Sequence, residues 1–276
     1  MSESEMPKQA WYRRLIFLFI FILTNILAIY SLPLFISPAT QSLKQSSGNS
    51  LIFPIYYITA IILFTLVFIY LARKQKISIL KSLIGILLGY SLFVILLMDF
   101  SFLYLIPDVI LTVLLTIALI FYSFKKRKVA IYTLGIVLGA GIAAILASII
   151  TLQITVVIMA IFAIYDYLSV NISKSMIEVA ETAMDSGLPL LFTAGEGDET
   201  IAMGFGDTVL PTFALMAILV NLNFVAYAVS LAFAVASFIP MMYFASRKPQ
   251  PGLPYMMNGI FIGLIIYFIF ANFIFH

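Results

Sequence analysis

The chain has 276 residues, of which 63% are hydrophobic and 10% charged, with a mean hydropathy of +1.15 and a net charge of +3. A soluble domain carries about 25% charged and 45–50% apolar residues, so this composition excludes an ordinary globular enzyme, a disordered chain and a nucleic-acid binder, and is that of a polytopic membrane protein. Cysteine is absent and the single histidine is the last residue, His276, which leaves no disulfide framework, no histidine or cysteine metal site and no intramembrane serine–histidine dyad.

A helix that crosses the hydrocarbon core needs about 20 apolar residues. Nine such runs follow one another, at approximately 15–36, 52–72, 79–98, 101–124, 129–149, 151–171, 200–220, 223–244 and 253–275. The first follows Lys8, Arg13 and Arg14 as a signal peptide would, but it is too long for an h-region and no small-residue cleavage site follows, so it is read as a helix. The weakest divisions fall at Asp99 and at Asn221 and Asn223. Basic residues then fix the alternation. Lys8, Arg13 and Arg14 precede the first run. Arg73, Lys74, Lys76 and Lys81 follow the second, Lys125 to Lys128 the fourth, Lys174 the sixth, and Arg247 and Lys248 the eighth. Only Lys44 falls in an odd-numbered loop, so fourteen of the fifteen cations share one side. The positive-inside rule puts that side, and the N-terminus with it, in the cytoplasm, and His276 outside. The run from Lys125 to Lys128 is read as a topology anchor rather than as a patch for nucleic acid or anionic lipid.

Three spans carry glycines four apart, Gly85 and Gly89, Gly135 and Gly139, and Gly259 and Gly263. In lipid this spacing lets helix backbones approach closely, so these pairs are read as packing within the bundle. No internal repeat of the kind found in transporters is visible.

Of the twelve acidic residues, Asp99 and Asp108 lie near the outer ends of the third and fourth runs, and two lie well within apolar runs, Asp166 in the sixth and Asp207 in the seventh. A charge at membrane depth is costly, which makes each a functional candidate. Their depths agree. Asp166 precedes Lys174 by eight residues on the way in, and Asp207 follows Glu199 by eight on the way out. At 1.5 Å per residue both stand ~12 Å from the cytoplasmic ends of their helices. Antiparallel neighbours can therefore bring the carboxylates face to face, where the pair shares one proton and supplies one general base and one general acid. That suits attack of water on a peptide carbonyl.

Asp207 ends Gly204-Phe205-Gly206-Asp207, whose glycines let a substrate strand approach the backbone. Pro211, four residues on, removes the hydrogen bond that the Asp207 carbonyl would receive. A second stretch, Gly195-Glu196-Gly197-Asp198, has the same spacing but lies in a polar segment and is read as a solvated turn. Just before the last run stands Pro249-Gln250-Pro251-Gly252-Leu253-Pro254, whose three prolines cannot start an ordinary helix smoothly.

Together, Tyr165-Asp166 in the sixth span, Gly204-Phe205-Gly206-Asp207 in the seventh and Pro251-Gly252-Leu253 at the ninth resemble the presenilin and signal-peptide-peptidase family of intramembrane aspartyl proteases. That family carries Tyr-Asp, Gly-x-Gly-Asp and Pro-Ala-Leu in these places. Met176 to Ala183 also resembles the presenilin segment at that point, and the compact chain resembles the archaeal homologues. It departs from the pattern in Gly252, where the family has Ala, and in a short sixth loop, about 173–199, without the long insertion of animal presenilins; self-cleavage there is not expected.

The resemblance implies an all-α, nine-span presenilin-like fold and a single membrane-embedded protease domain over 1–276. It would comprise six helices over about 1–172, a cytoplasmic loop over about 173–199 and three helices over about 200–276. It implies Asp166 and Asp207 as catalytic residues, and Tyr165, Gly204, Phe205, Gly206, Pro251, Gly252 and Leu253 as substrate-binding ones. It further implies strand addition by a substrate near Leu190–Ala194 and Thr200–Met203. The expected partners are transmembrane peptides or proteins and the lipid bilayer, with no nucleic acid, no cofactor, no metal and no obligatory subunit, in the cell membrane. Rival readings are a proton- or cation-conducting channel or carrier using the same two aspartates, and a prepilin peptidase, which shares Gly-x-Gly-Asp but not the nine-span layout or the proline motif. No HExxH motif is present for zinc chemistry.

Overall fold

The computed structural model describes residues 8–47, 52–100, 105–195, 200–245 and 250–274. In chain order the elements are α1 (Lys8–Phe35), α2 (Pro38–Ser47), α3 (Ile52–Arg73), α4 (Ile77–Asp99), α5 (Leu105–Phe124), α6 (Lys128–Ile149), α7 (Leu152–Asn171) and α8 (Ser175–Ser186). There follow β1 (Leu191–Ala194), β2 (Ile201–Gly204), α9 (Gly206–Asn221), α10 (Phe224–Ala245) and α11 (Gly252–Ile274).

Among the described residues seven helices are long and apolar enough to cross a membrane: Leu15–Phe35, Ile77–Asp99, Pro107–Phe124, Lys128–Ile149, Leu152–Asn171, Phe224–Phe244 and Gly252–Asn272. The expected second run is the 22-residue α3. The seventh is shorter than the sequence suggested. Its first residues form β2, the helix begins only at Gly206, and α9 has 16 residues, or ~24 Å at 1.5 Å per residue. An apolar tetrapeptide such as Ile201-Ala202-Met203-Gly204 extends a hydropathy run whether it is helix or strand. Here antiparallel pairing with β1 satisfies its backbone, in the register Leu191↔Gly204, Phe192↔Met203, Thr193↔Ala202 and Ala194↔Ile201. Among the described residues the regular structure is thus helical apart from one hairpin. The amphipathic α2 and α8 also lie in what the sequence left as loops.

The core is organised around α9. Every residue from Pro211 to Ile218 is buried, as expected of a helix that is apolar on all sides, and α1, α6, α7, α10 and α11 surround it. Small residues allow this crowding: α6 buries Gly135, Gly139, Ala140, Gly141, Ala143, Ala144 and Ala147. Between helices in lipid there is no water to expel, so close van der Waals contact and hydrogen bonds hold the bundle. One such bond joins α1 to α9, from Asn25 Nδ2 to Thr212 Oγ1 at 3.1 Å. At Gly259 an added Cβ would stand 2.5 Å from the Phe233 carbonyl oxygen, and at Gly263 2.6 Å from Ser230 Cα. The backbones of α10 and α11 therefore touch, and only glycine fits at either point.

Candidate active site

Three helix ends converge on one point. Asp166 lies in the last third of α7 and is 5% exposed. Asp207 lies in the first turn of α9. Facing both is the start of α11, where Pro251 precedes Gly252 and Leu253. The proline run that disturbs a helix interior is harmless here. The first N–H groups of a helix have no partner in their own chain, so the missing donor of Pro254 in the first turn costs nothing. One of the free donors is used: the Leu253 N–H donates to Asp166 Oδ2 at 3.1 Å. A carboxylate is favoured at this positive end of the helix dipole.

Asp207 is held from its other side. The Gly204 N–H donates to Asp207 Oδ2 at 3.2 Å, so the carboxylate reaches back over its own turn to the end of β2. A Cβ built on Gly252 would stand 3.1 Å from Asp207 Oδ1 and 3.2 Å from its Cγ. Asp166 and Asp207 therefore meet consecutive residues of one turn, and the two carboxyl groups are near enough to interact electrostatically. The depth count from Lys174 and Glu199 assumed helix throughout and does not hold: α7 ends at Asn171, and β2 rather than helix precedes α9, so Asp207 stands in the first turn of its helix instead of ~12 Å along it.

Asp207 opens into a cavity of about 80 Å³, lined by Phe17 of α1, Ile201, Ala202 and Met203 of β2, Met241 and Met242 of α10, and Gln250 and Gly252. One water needs about 10–15 Å³ on the same measure, so the cavity has room for several waters against the carboxylate.

Of the residues singled out in the sequence, Asp166, Asp207, Gly204, Gly252 and Leu253 come together here. Pro251 is buried and immediately precedes the turn. Gly206 is exposed, and nothing stands within 4 Å of a Cβ built on it. Phe205 turns elsewhere: its ring packs on Phe192 with centroids 4.6 Å apart, and both rings lie where a Cβ on Gly135 would be, at 2.7 and 2.5 Å. Tyr165 is half-buried beside Asp166 and does not line the cavity. Residues 196–199 of the Gly195-Glu196-Gly197-Asp198 stretch, and Pro249, lie outside the described residues.

Sequence reasoning missed Phe17, Met241, Met242 and Gln250, which carry no signal beyond being apolar or adjacent to a proline. It also missed another buried carboxylate besides Asp166. Asp108, placed near the end of its span by the sequence, is 5% exposed in the first turn of α5 and accepts a hydrogen bond from Thr112 Oγ1 at 3.4 Å. Helix α5 packs on α4 and α6. Among the described residues no cluster of three or more histidine, aspartate or glutamate residues is arranged to hold a metal.

The family model for signal-peptide peptidase, presenilin aspartyl protease, matches residues 18–273. Two solved structures share the fold, each described as a presenilin family intramembrane aspartate protease. The form in space group C222 is 21% identical, covers 90% of this chain and 94% of its own, and superposes with a TM-score of 0.64. The form in P2 is 20% identical, covers 96% and 98%, and gives 0.66. No curated protein sequence matches.

Proposed function

The chain belongs to the signal-peptide-peptidase and presenilin family of aspartyl proteases, and from that premise we propose that Asp166 and Asp207 are its catalytic pair, hydrolysing peptide bonds within transmembrane segments. As a member of that family it is an aspartic endopeptidase of the membrane. The observation that carries the residue assignment is the approach of both carboxylates to the Gly252–Leu253 turn, beside a cavity with room for water.

The pair works with one proton. The ionised carboxylate takes a proton from water as the water oxygen bonds to the scissile carbonyl carbon. The protonated carboxyl gives its proton to the carbonyl oxygen, forming a neutral tetrahedral diol. Collapse breaks the C–N bond. One hydroxyl of the diol returns its proton to the pair, the nitrogen leaves with a proton from the pair, and the single shared proton is restored. No metal and no cofactor takes part in these steps.

A transmembrane helix must first be unwound, because its amides are hydrogen-bonded and dry. The outer edge of β2, on which no strand pairs among the described residues, offers the replacement bonds. Ala202 and Met203 line the same cavity as Asp207, so a substrate strand added there would run past the carboxylate. Main-chain pairing discriminates little between side chains, which implies loose specificity. Tyr165, Gly204, Phe205, Gly206, Pro251, Gly252 and Leu253 are proposed to shape this channel, Phe205 by supporting the hairpin from beneath. The nine-span topology with a cytoplasmic N-terminus, residence in the cell membrane and activity without further subunits belong to the same proposal. Fourteen cations on one side of the alternation support the topology.

The test is purified protein with a synthetic transmembrane peptide. Cut fragments are expected, at a rate that rises and then falls with pH, because the pair is inactive both doubly protonated and doubly ionised. Ion flux through reconstituted vesicles with no fragments would instead support the channel reading.

A further inference from the structure

The hairpin has two edges, and only one of them is open. The Phe205 N–H donates to the Leu190 carbonyl at 3.1 Å. Combined with the register Leu191↔Gly204, this makes Leu190 and Phe205, Phe192 and Met203, and Ala194 and Ile201 the pairs whose backbone groups face each other across the hairpin, since such pairs alternate along an antiparallel ladder. The backbone groups of Leu191, Thr193 and Gly195 therefore point out of the β1 edge, and those of Ala202 and Gly204 out of the β2 edge.

On the β1 side, α6 has closed the edge. The Tyr132 hydroxyl donates to the Thr193 carbonyl, and Lys128 Nζ donates to the Gly195 carbonyl at 2.9 Å. The two side chains are four residues apart on one helix, so they stand on the same face, spaced to meet alternate carbonyls. The same face continues to Gly135, which receives the rings of Phe192 and Phe205. Leu191, at the other end of β1, is packed against the cluster around Leu80 and Leu188. On the β2 side the Gly204 N–H holds Asp207, and Ala202 faces the cavity with no backbone partner among the described residues.

We infer that Tyr132 and Lys128 are positioning residues: by occupying the outward carbonyls of β1 they force an incoming substrate strand onto β2 and fix the hairpin that sets that strand's register against Asp207. The inference rests on the protease reading above, including strand addition at β2, and adds to it what enforces that choice of edge. An exposed strand edge accepts any extended chain unless something blocks it. A strand on the outer edge of β1 would have both strands of the hairpin between it and Asp207, whereas one on β2 would have none, and it would be bound without being cut. Neither Tyr132 nor Lys128 lines the cavity, so both act through the hairpin rather than on the reacting atoms.

The experiment compares wild type with Tyr132→Phe, Lys128→Gln and the double variant on one synthetic transmembrane peptide, with fragments identified by mass spectrometry and kcat and KM measured separately. Tyr132→Phe removes one oxygen and keeps the ring that packs on Phe192 at 6.0 Å, so the fold is retained. The expected result is a spread of cuts from the wild-type bond to bonds two residues away on either side, the repeat of strand pairing. A rise in KM of about three- to tenfold is expected for the lost hydroxyl bond, larger in the double variant. Lys128→Arg keeps the donor and should keep the wild-type cut pattern. Folded variants that cut at the wild-type bonds with unchanged KM would overturn the inference. So would activity that falls in step with thermal stability while the cut pattern stays fixed. If wild type itself yields no fragments, it is the protease reading that fails; if wild type cuts and the variants cut identically, only the positioning role of Tyr132 and Lys128 fails.

Discussion

Two glycine pairs with the same spacing sit in opposite kinds of surroundings. Between α10 and α11, on the helix whose first turn meets the aspartates, Gly259 and Gly263 bring backbones into contact, with Cβ positions 2.5 to 3.1 Å from backbone atoms of the other helix. Between α4 and α5, Gly85 and Gly89 would meet only side chains, Phe124 at 3.3 Å and Ile120 at 3.9 Å. They border an open groove of about 530 Å³ that also includes Thr116, Ile117 and Lys125. The half of the bundle around α9 is thus closely packed apart from the cavity beside Asp207, and the α4–α5 pair is loose. Tight packing is what holds two carboxylates to one turn, and a misplacement of about 1 Å can cost about 10²-fold in rate. The spacing of four was the same in both places; what differs is what faces it, and that is a tertiary fact.

The largest expected effect strikes the centre of the tight half. Asp166→Ala and Asp207→Ala should each lower the cleavage rate by at least about 10²-fold, the low end of what a general acid or base contributes, while the protein still inserts and purifies. Asp198→Ala, in the sequence that imitates the motif, should leave most activity. A single intramembrane variant that kept more than about a tenth of the rate would break the assignment of a working pair.

How much of this was legible in the sequence follows from where each signal resides. Hydropathy reports local chemistry, so the long apolar helices could be read directly. The pairing of Asp166 with Asp207 was anticipated by counting helical rise from Lys174 and Glu199, but the count itself failed for Asp207, because β2 and not helix leads into α9. The hairpin could not be seen as a pair from hydropathy. Its strands have four residues each, too few for a period to show, and β2 merged into the seventh apolar run. Resemblance alone pointed to extended segments there. Nor did any pattern mark Tyr132 as a partner of Thr193, which lies 61 residues away. Phe205, counted with the substrate-binding residues because it stands inside the Gly-x-Gly-Asp motif, turns toward Phe192 and α6. A motif names neighbours in sequence, and alternate residues of an extended stretch face opposite ways.

The glycine comparison gives the next prediction. Gly263→Val and Gly259→Val should destabilise by about 1–3 kcal/mol or more, the cost of forcing atoms into a filled contact, and should fail to give a well-folded monodisperse protein at elevated temperature. Gly85→Ala and Gly89→Ala should shift the melting temperature little, because a methyl there meets a ring edge or open groove. Equal losses from both pairs, measured by thermal unfolding in one detergent, would erase the contrast between the two halves.

A smaller effect separates stability from activity at one residue. Gly252 does not have a positive φ, so alanine, the family's residue, suits its backbone and should stabilise by about 0.4–1 kcal/mol through the unfolded chain. The new methyl would nevertheless sit 3.1 Å from Asp207 Oδ1, and the carboxylate must give way by a few tenths of an ångström. Gly252→Ala is therefore expected to melt slightly higher and to cut with an altered kcat, changed by less than about tenfold because both carboxylates remain. A lowered melting temperature would show that the turn, rather than the carboxylate, had yielded.

The smallest effect belongs to the rim. Arg73 at the end of α3 holds Glu178 of α8 through two bonds, Nε to Oε1 at 2.8 Å and Nη2 to Oε2 at 2.9 Å. Both side chains are exposed, and such pairs are weak and screened by salt. The hydrogen bond from Arg73 holds the Glu178 carboxyl below its ordinary value of 4.5. A lowered folded-state value means that the pair stabilises above about pH 4.5 and that its contribution is lost as the pH falls through the lower, folded value. Glu178→Gln should therefore cost little at neutral pH, less still in molar salt, and nothing once wild type has itself been protonated. The loss should appear as easier proteolytic nicking near α8, while the cut positions in substrate stay where they are, because α8 lies outside the cavity that holds Asp207. A change in cut position on Glu178→Gln would instead mean that the loose rim steers the tight centre, and the division between the two halves would have to be redrawn.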